Sequence, residues 1–396
     1  MEKEDKGLIN LFSVHMFVAL LGTGIVNTVF VLFLEQVKGF STDQATFIIG
    51  ITPLILLPCS FFWGWVMDKH KKLIMANKIV YASNAVMVAV LILVSNFAAI
   101  FGFNLLRNFL TQPSGGINDE YILHIVKKTG HPYGKIRAWG AIGFGASGLL
   151  VPVVMYFYGV TASLIAAIII LFCDLIILSK LPEVKHEKKV ITKEEKPSLK
   201  STLTLFKNRK FVVILVVLTI LTTTCNITGS FAMPIMLVDL KAPDELVGLL
   251  PFIMVLMEIV FLFVFHKLKI AKKSYTVIFI CVLVSIVRWY LMATIDNYYI
   301  LTALMLCHGV VIGMILPTQN KLLGEIIPKH QRSTAFLFQL AIAPTVFASV
   351  LNLFTGYLST SVGISVFGIT YLVLAIVAFI VIFPTFIKNR KAYEVS

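Results

Sequence analysis

Long apolar stretches recur along the chain with short polar breaks between them. Twelve can be placed, at roughly 8–34, 43–67, 73–94, 97–120, 136–158, 161–180, 210–238, 244–266, 273–293, 297–320, 332–356 and 361–385. A bilayer core takes about 20 apolar residues as a helix, and each stretch is of that order. A membrane barrel would instead show segments of about ten residues alternating apolar and polar, whereas these are uniformly apolar. The pattern predicts an all-α membrane protein with twelve transmembrane helices. The first stretch, Leu8 to Leu34, is too long for the apolar region of a signal peptide and shows no small-residue cleavage site, so it is read as the first span.

One long hydrophilic segment, 181–209, separates six stretches from six. It predicts an N-terminal six-helix half over 1–180, a linker, and a C-terminal six-helix half over 210–396. The halves echo each other faintly. Pro132 precedes Arg137 at the opening of the fifth stretch and Pro328 precedes Arg332 at the opening of the eleventh, at an offset of 328 − 132 = 196. Two six-helix repeats joined by a linker imply a transporter with its substrate site near the midplane between the halves.

Composition sharpens this. The chain is 58% hydrophobic and 14% charged, against about 25% charged in a soluble domain, which excludes a soluble enzyme. A net charge of +14 would elsewhere suggest nucleic acid, so position decides. With the N-terminus inside, twenty-nine of the thirty-four Lys and Arg fall in cytoplasmic segments, ten of them between Lys180 and Lys210, while only Lys38 and Lys241 fall in external ones. Inside-positive bias then puts both termini and the linker in the cytoplasm and the chain in the cytoplasmic membrane. The positive charge faces the lipid bilayer, not nucleic acid.

The five cysteines stand singly in apolar runs without metal-ligand spacing and are expected to be buried core thiols. Gly143, Gly145 and Gly148 spell GxGxxG, but no strand precedes them. With Gly140 and Ser147 they are better read as small residues that let two membrane helices approach closely. No GxSxG, HExxH or P-loop pattern occurs. The sequence therefore calls for neither an enzyme nor a cofactor.

Arg107, Glu258, Arg288 and His308 sit well inside their apolar runs. A central Arg or Asp costs about 2.5–3.5 kcal/mol on insertion scales, so these groups must pair or line a cavity. They serve either a structural ion-pair network or a substrate and ion pathway. Between the fourth and fifth stretches lie Asp119 and Arg137, and the helix face that Arg137 opens continues through Ala141, Phe144 and Gly148. A guanidinium fork near an aromatic ring suits a polar ligand with a flat or apolar face. At the second polar break, Gly64, Asp68 and Lys69 form a candidate gate, with Asp68 able to switch partners between conformations.

These residues resemble the major facilitator superfamily, and the Gly64, Asp68, Lys69 turn is similar to its loop motif between helices two and three, with His70 in place of the usual Gly. YGKIRAWGAIGFG at 133–145 resembles the signature of the branch holding lactose permease, other oligosaccharide/proton symporters and the phenylpropionate permeases. The resemblance implies that Asp119 and Arg137 grip substrate hydroxyls, that Glu258 contacts substrate and couples to the proton, and that Arg288 and His308 belong to the coupling set. It departs at Val311, where the family's proton-carrying Glu would stand, at Phe144, which replaces a ring-stacking Trp, and at Asn226, which replaces an Asp. A disaccharide is therefore not implied, and proton coupling would fall to Glu258 or His308.

The expectation is a monomeric secondary transporter of the major facilitator fold. It would move a small polar solute, a sugar, nucleoside or aromatic acid, together with protons. An efflux antiporter of the same fold is the alternative. Its helix-five Gly-Pro motif is missing, since Gly148 and Pro152 are not adjacent.

Overall fold

The computed structural model describes residues 3–59, 62, 63, 66, 72–184, 205–328 and 331–394. The expected gating residues Gly64, Asp68 and Lys69 lie outside the described residues, as do 185–204 of the linker. Among the described residues the chain is helical between turns, and its helices make twelve spans. Span one is Lys3–Leu32, extended by a wider π turn at Phe33–Val37. Span two begins with Thr42–Leu56, span three is Leu73–Leu93, and span four is two helices, Phe97–Thr111 and Ser114–Thr129, interrupted at Pro113. Span seven runs Arg209–Ile227, Thr228–Ala232 and Met233–Asp239; span eight is Asp244–Val264 and span nine Ser274–Thr294. Span ten comprises Tyr298–Ala303 and Leu306–Ile326, span eleven Arg332–Leu337, Phe338–Ile342 and Ala343–Val362, and span twelve Ser365–Glu394.

Spans five and six form one helical stretch, Tyr133–Ser179, of 47 residues. A straight helix of that length would measure about 70 Å, roughly twice a bilayer core. Gly159, with φ of 78° and ψ of 179°, breaks it into two.

The internal echo is plainer in the backbone than in the side chains. Gly159 turns span five into span six and Gly363, at φ 95°, turns span eleven into span twelve. Gly39, at φ 69°, follows span one, and Lys241, at φ 54°, follows span seven. Asn96 and Asn297 cap the starts of spans four and ten, each side chain accepting two backbone N–H bonds. The π turns of spans one and seven begin at Phe33 and Thr228, 228 − 33 = 195 residues apart. Each device recurs six spans later.

Contacts divide the chain into two compact units, Met1–Lys189 with Pro243–Val255, and Val190–Ala242 with Leu256–Ser396. In the first unit, spans one, three, four and six close on a core that includes Phe12, Met16, Tyr81, Tyr121, Ile122 and Leu171. Glu183, just past span six, caps span three: its two carboxylate oxygens accept from the backbone N–H groups of Ile74 at 2.9 Å and Met75 at 3.0 Å. A carboxylate there satisfies two orphan donors and opposes the positive end of the helix dipole.

The small residues of span five act as their sequence suggested. A Cβ on Gly140 would meet Met16, one on Gly143 the Phe17 backbone, and one on Gly148 the Phe252 backbone; a Cβ on Gly24 would meet Ser147. In the second unit, Phe211, Phe231, Trp289 and Tyr371 fill the core, with the Trp289 and Tyr371 rings edge to face at 5.2 Å. The cysteines only partly follow expectation. Cys225 and Cys281 are buried, but Cys59 and Cys307 are half-buried and Cys173 is exposed, because an apolar span in lipid has no need to turn every apolar residue inward.

Candidate functional site

Asp119 and Arg137 come from spans four and five, which reverse direction through Gly130, in the left-handed conformation, and Pro132, which caps the next helix. The structure brings the two together. Arg137 Nε lies 3.4 Å from Asp119 Oδ1, with the two side chains 46% and 43% exposed. Tyr133, one turn before Arg137, donates its hydroxyl to the same Asp119 oxygen at 2.9 Å. The second Asp119 oxygen and the outer nitrogens of Arg137 complete a donor and acceptor set of the kind that hydroxylated ligands need.

Phe144 is half-buried two turns along from Arg137. Its ring carbon would stand 3.1 Å from a Cβ on Gly24, so the ring packs on the glycine gap of span one. Asp119 and Arg137 are thus brought together in the first unit, with Tyr133 a member that sequence reasoning left out, while Phe144 stands two turns further along the same helix.

The second unit holds the other expected residues. Glu258 is half-buried on span eight, and its backbone is tight against Gly313 of span ten, where a Cβ would stand 3.1 Å from the Glu258 carbonyl oxygen. Arg288 is almost completely buried. Its guanidinium donates to Cys225 Sγ at 3.6 Å and to Met305 Sδ at 3.1 Å, and stacks 4.2 Å from the centre of the Trp289 ring. Among the described residues Arg288 thus takes sulfur acceptors and an aromatic face as its partners. His308 Nδ1 lies 3.1 Å from the Cys225 carbonyl oxygen; a carbonyl only accepts, so this nitrogen carries the hydrogen. Cys225 therefore touches both Arg288 and His308. Val311, where the resembled branch has an acid, is wholly buried. Arg107 is buried with its guanidinium 5.3 Å from the Phe30 ring centre, a cation–π contact within the first unit.

A cavity of about 320 Å³ opens at the other end of spans one and five, lined in part by Gln36, Met155, Gly159 and Asp244, with Gln36 Nε2 donating to Asp244 Oδ1 at 2.9 Å. None of the sequence-predicted site residues lines it.

Sequence reasoning also passed over His15 and Asp174. Each is an ionisable side chain inside an apolar run, the same signal that picked out Arg288 and His308, and each is fully buried.

Twelve spans in two backbone-related sets, with ionisable groups held inside them, define a membrane transport protein. The chain belongs to the MFS_1 like family, which it matches over residues 10–349, and it is a transporter of the major facilitator type. It is 24% identical over 355 residues to the "Uncharacterized transporter YwbF" of Bacillus subtilis (strain 168), covering 87% of this chain and 83% of that one. Its fold is shared with a point mutant of the nucleoside transporter NupG, at a TM-score of 0.80 and 16% identity over 96% of this chain and 99% of that one. A D-xylose-proton symporter has the same fold, at a TM-score of 0.67 and 14% identity over 94% and 96%.

Proposed function

We propose that the protein is a solute:proton symporter that imports a small hydroxylated solute, of the sugar or nucleoside class, across the cytoplasmic membrane by alternating access, with both termini cytoplasmic. The observation that carries this reading is the Asp119–Arg137 pair. In a protein that seals Arg288 and His308 at a few per cent exposure, this pair keeps almost half its surface accessible. Substrate hydroxyls bind Asp119 and Arg137, an apolar or flat face rests on Phe144, and Glu258 contacts substrate. Glu258 carries the coupling proton, with Arg288 and His308 in the coupling set. The stretch YGKIRAWGAIGFG favours the oligosaccharide/proton symporter branch. The nucleoside transporter and the D-xylose-proton symporter of the same fold support the solute class.

The driving force suffices. One proton moving down 100 mV and one pH unit releases about 3.7 kcal/mol, enough for a several-hundredfold gradient.

Proteoliposomes holding the purified full-length chain test the reading with uridine and D-xylose as probes. Accumulation of either when the outside is made acidic supports symport. Gradient-driven loss of preloaded probe instead indicates the efflux antiporter, and uptake of both probes that ignores the gradient excludes proton coupling.

A further inference from the structure

The first unit carries a set of buried polar groups that the substrate pair does not use. His15 on span one and Asp174 on span six are both at 0% exposure, within the core that holds Phe12, Tyr121 and Leu171. His15 Nδ1 lies 2.9 and 3.1 Å from the two Asp174 oxygens. His15 Nε2 lies 3.2 Å from Oδ1 of Asn118 on span four. That amide oxygen also accepts from Asn77 Nδ2 of span three at 2.8 Å, while Asn118 Nδ2 donates to the Tyr81 hydroxyl oxygen at 2.9 Å. The other titratable groups facing the set are Tyr81, whose ring meets His15 edge-on at 5.5 Å, and Tyr121 of span four, stacked on Phe12; beyond them lies the charged side chain of Arg137, at the start of span five.

The hydrogens can be counted. An amide oxygen only accepts, so Nε2 donates in this arrangement. A carboxylate also only accepts, so the contact at Nδ1 needs a second proton, held by either the nitrogen or the acid. The pair then has one proton more than a neutral imidazole beside a carboxylate, and its net charge is zero.

A second arrangement fits the same positions. Turning the Asn118 and Asn77 amides by 180° exchanges their oxygen and nitrogen atoms. Asn118 Nδ2 then donates both to His15 Nε2 and to Asn77 Oδ1, and Asn118 Oδ1 accepts from the Tyr81 hydroxyl. Only Nδ1 still needs a hydrogen, so the pair holds one proton fewer and is net negative. Asn77 Oδ1, which lacks a partner in the first arrangement among the described residues, gains one in the second, where Asn77 Nδ2 takes the position without a partner. Every other contact survives the exchange. An unsatisfied buried group at His15 or Asn118 would cost a few kcal/mol, and neither arrangement contains one.

We infer that His15 and Asp174 form a proton-binding site in the first unit, which gains and loses one proton as the Asn118 and Asn77 amides rotate together. Asn118 adjoins Asp119 along span four, so the amide that reports the proton is bonded through the backbone to the carboxylate proposed to hold substrate. The use of this proton in transport rests on the symport reading; its binding does not.

The test uses the full-length protein in detergent micelles with ¹⁵N-imidazole histidine, the His15 signal being assigned by its loss in His15→Asn. Over the pH range in which the protein stays folded, the His15 signal is expected to pass from the doubly protonated form to one with hydrogen on Nδ1 alone. Asp174→Asn should remove that transition. Over the same range, the wild type should release one more proton per molecule than Asp174→Asn. A His15 signal that keeps one form throughout, with equal proton counts for the two proteins, makes the pair a static ion pair and overturns the inference. If Asp174→Asn fails to fold, the wild-type His15 titration alone decides. The two proposals fail separately: a uniporter leaves the His15 transition in place, and a static pair leaves gradient-driven uptake in place.

Discussion

Gly143 and Phe17 meet backbone to backbone: a methyl on Gly143 would collide with the Phe17 carbonyl oxygen and stand 2.9 Å from its Cα. Spans one and five are joined there without an intervening side chain. A carbonyl oxygen cannot rotate out of the way as a side chain can. Gly143→Ala should therefore cost at least the 1–3 kcal/mol usual for overpacking, seen as a lower melting temperature and a lower yield of folded protein. Gly115→Ala is the control, because nothing lies within 4 Å of the added methyl.

Arg137→Lys keeps the charge and loses the planar fork. The pair is nearly half exposed, and exposed ion pairs contribute about 0–1 kcal/mol, so the melting temperature should barely change. Losing a charge-assisted hydrogen bond to a ligand costs about 1.5–3 kcal/mol. Affinity for a sugar or nucleoside found by thermal-shift screening should drop tenfold or more. Binding retained within a few fold would make Arg137 a structural residue.

Glu258→Gln imitates the protonated acid at nearly constant shape. The variant in proteoliposomes should exchange substrate across the membrane but no longer accumulate it under a pH gradient. Unchanged accumulation would move the coupling role to His308, whose Nδ1 is already committed to the Cys225 carbonyl.

Lys241 holds a left-handed conformation, φ 54°, at the turn where the first half uses Gly39. That conformation costs an L-residue about 1–2 kcal/mol, against roughly 0.5–1 kcal/mol for the extra freedom of an unfolded glycine. Lys241→Gly should raise stability by up to about 1 kcal/mol, a shift of one or two degrees in melting temperature. A fall would show that the lysine side chain itself stabilises the turn.

The proposed orientation rests on the clustering of twenty-nine Lys and Arg in one set of segments. Reporter fusions after Lys188 should read cytoplasmic and fusions near Gly39 external; the reverse pattern would invert the topology.

Spans and turns could be read from the chain because lipid demands an unbroken apolar run, and a sharp reversal favours glycine, as at Gly159 and Gly363. Span four shows the limit of that reading. Apolarity fades near 120, but the helix from Ser114 continues to Thr129, because Ile117, Tyr121, Ile122 and Ile125 present one buried face to the core at helical spacing. Asp119 thus stands inside a helix rather than at its frayed end.

The Asp119–Arg137 pairing could be anticipated from its interval and from the family resemblance. The partners of Arg288 could not. Hydropathy shows that a buried charge needs compensation, but which group supplies it depends on packing between distant spans, and here sulfur atoms on spans seven and ten do so. His15 and Asp174, 159 residues apart, escaped for the same reason.

The Glu183 cap on span three decides where the first six spans end. A chain cut at Lys180, where the apolar run stops, would leave the N–H groups of Ile74 and Met75 without their acceptor, and Tyr121 without the Pro182 carbonyl to which it donates. A fragment extended to Val184 would retain all three bonds, and with them the backbone contact from Leu73 N–H to the Val184 carbonyl. For anyone dividing this protein into pieces, the boundary is set four residues beyond the hydrophobic edge, by hydrogen bonds that reach back across more than a hundred residues.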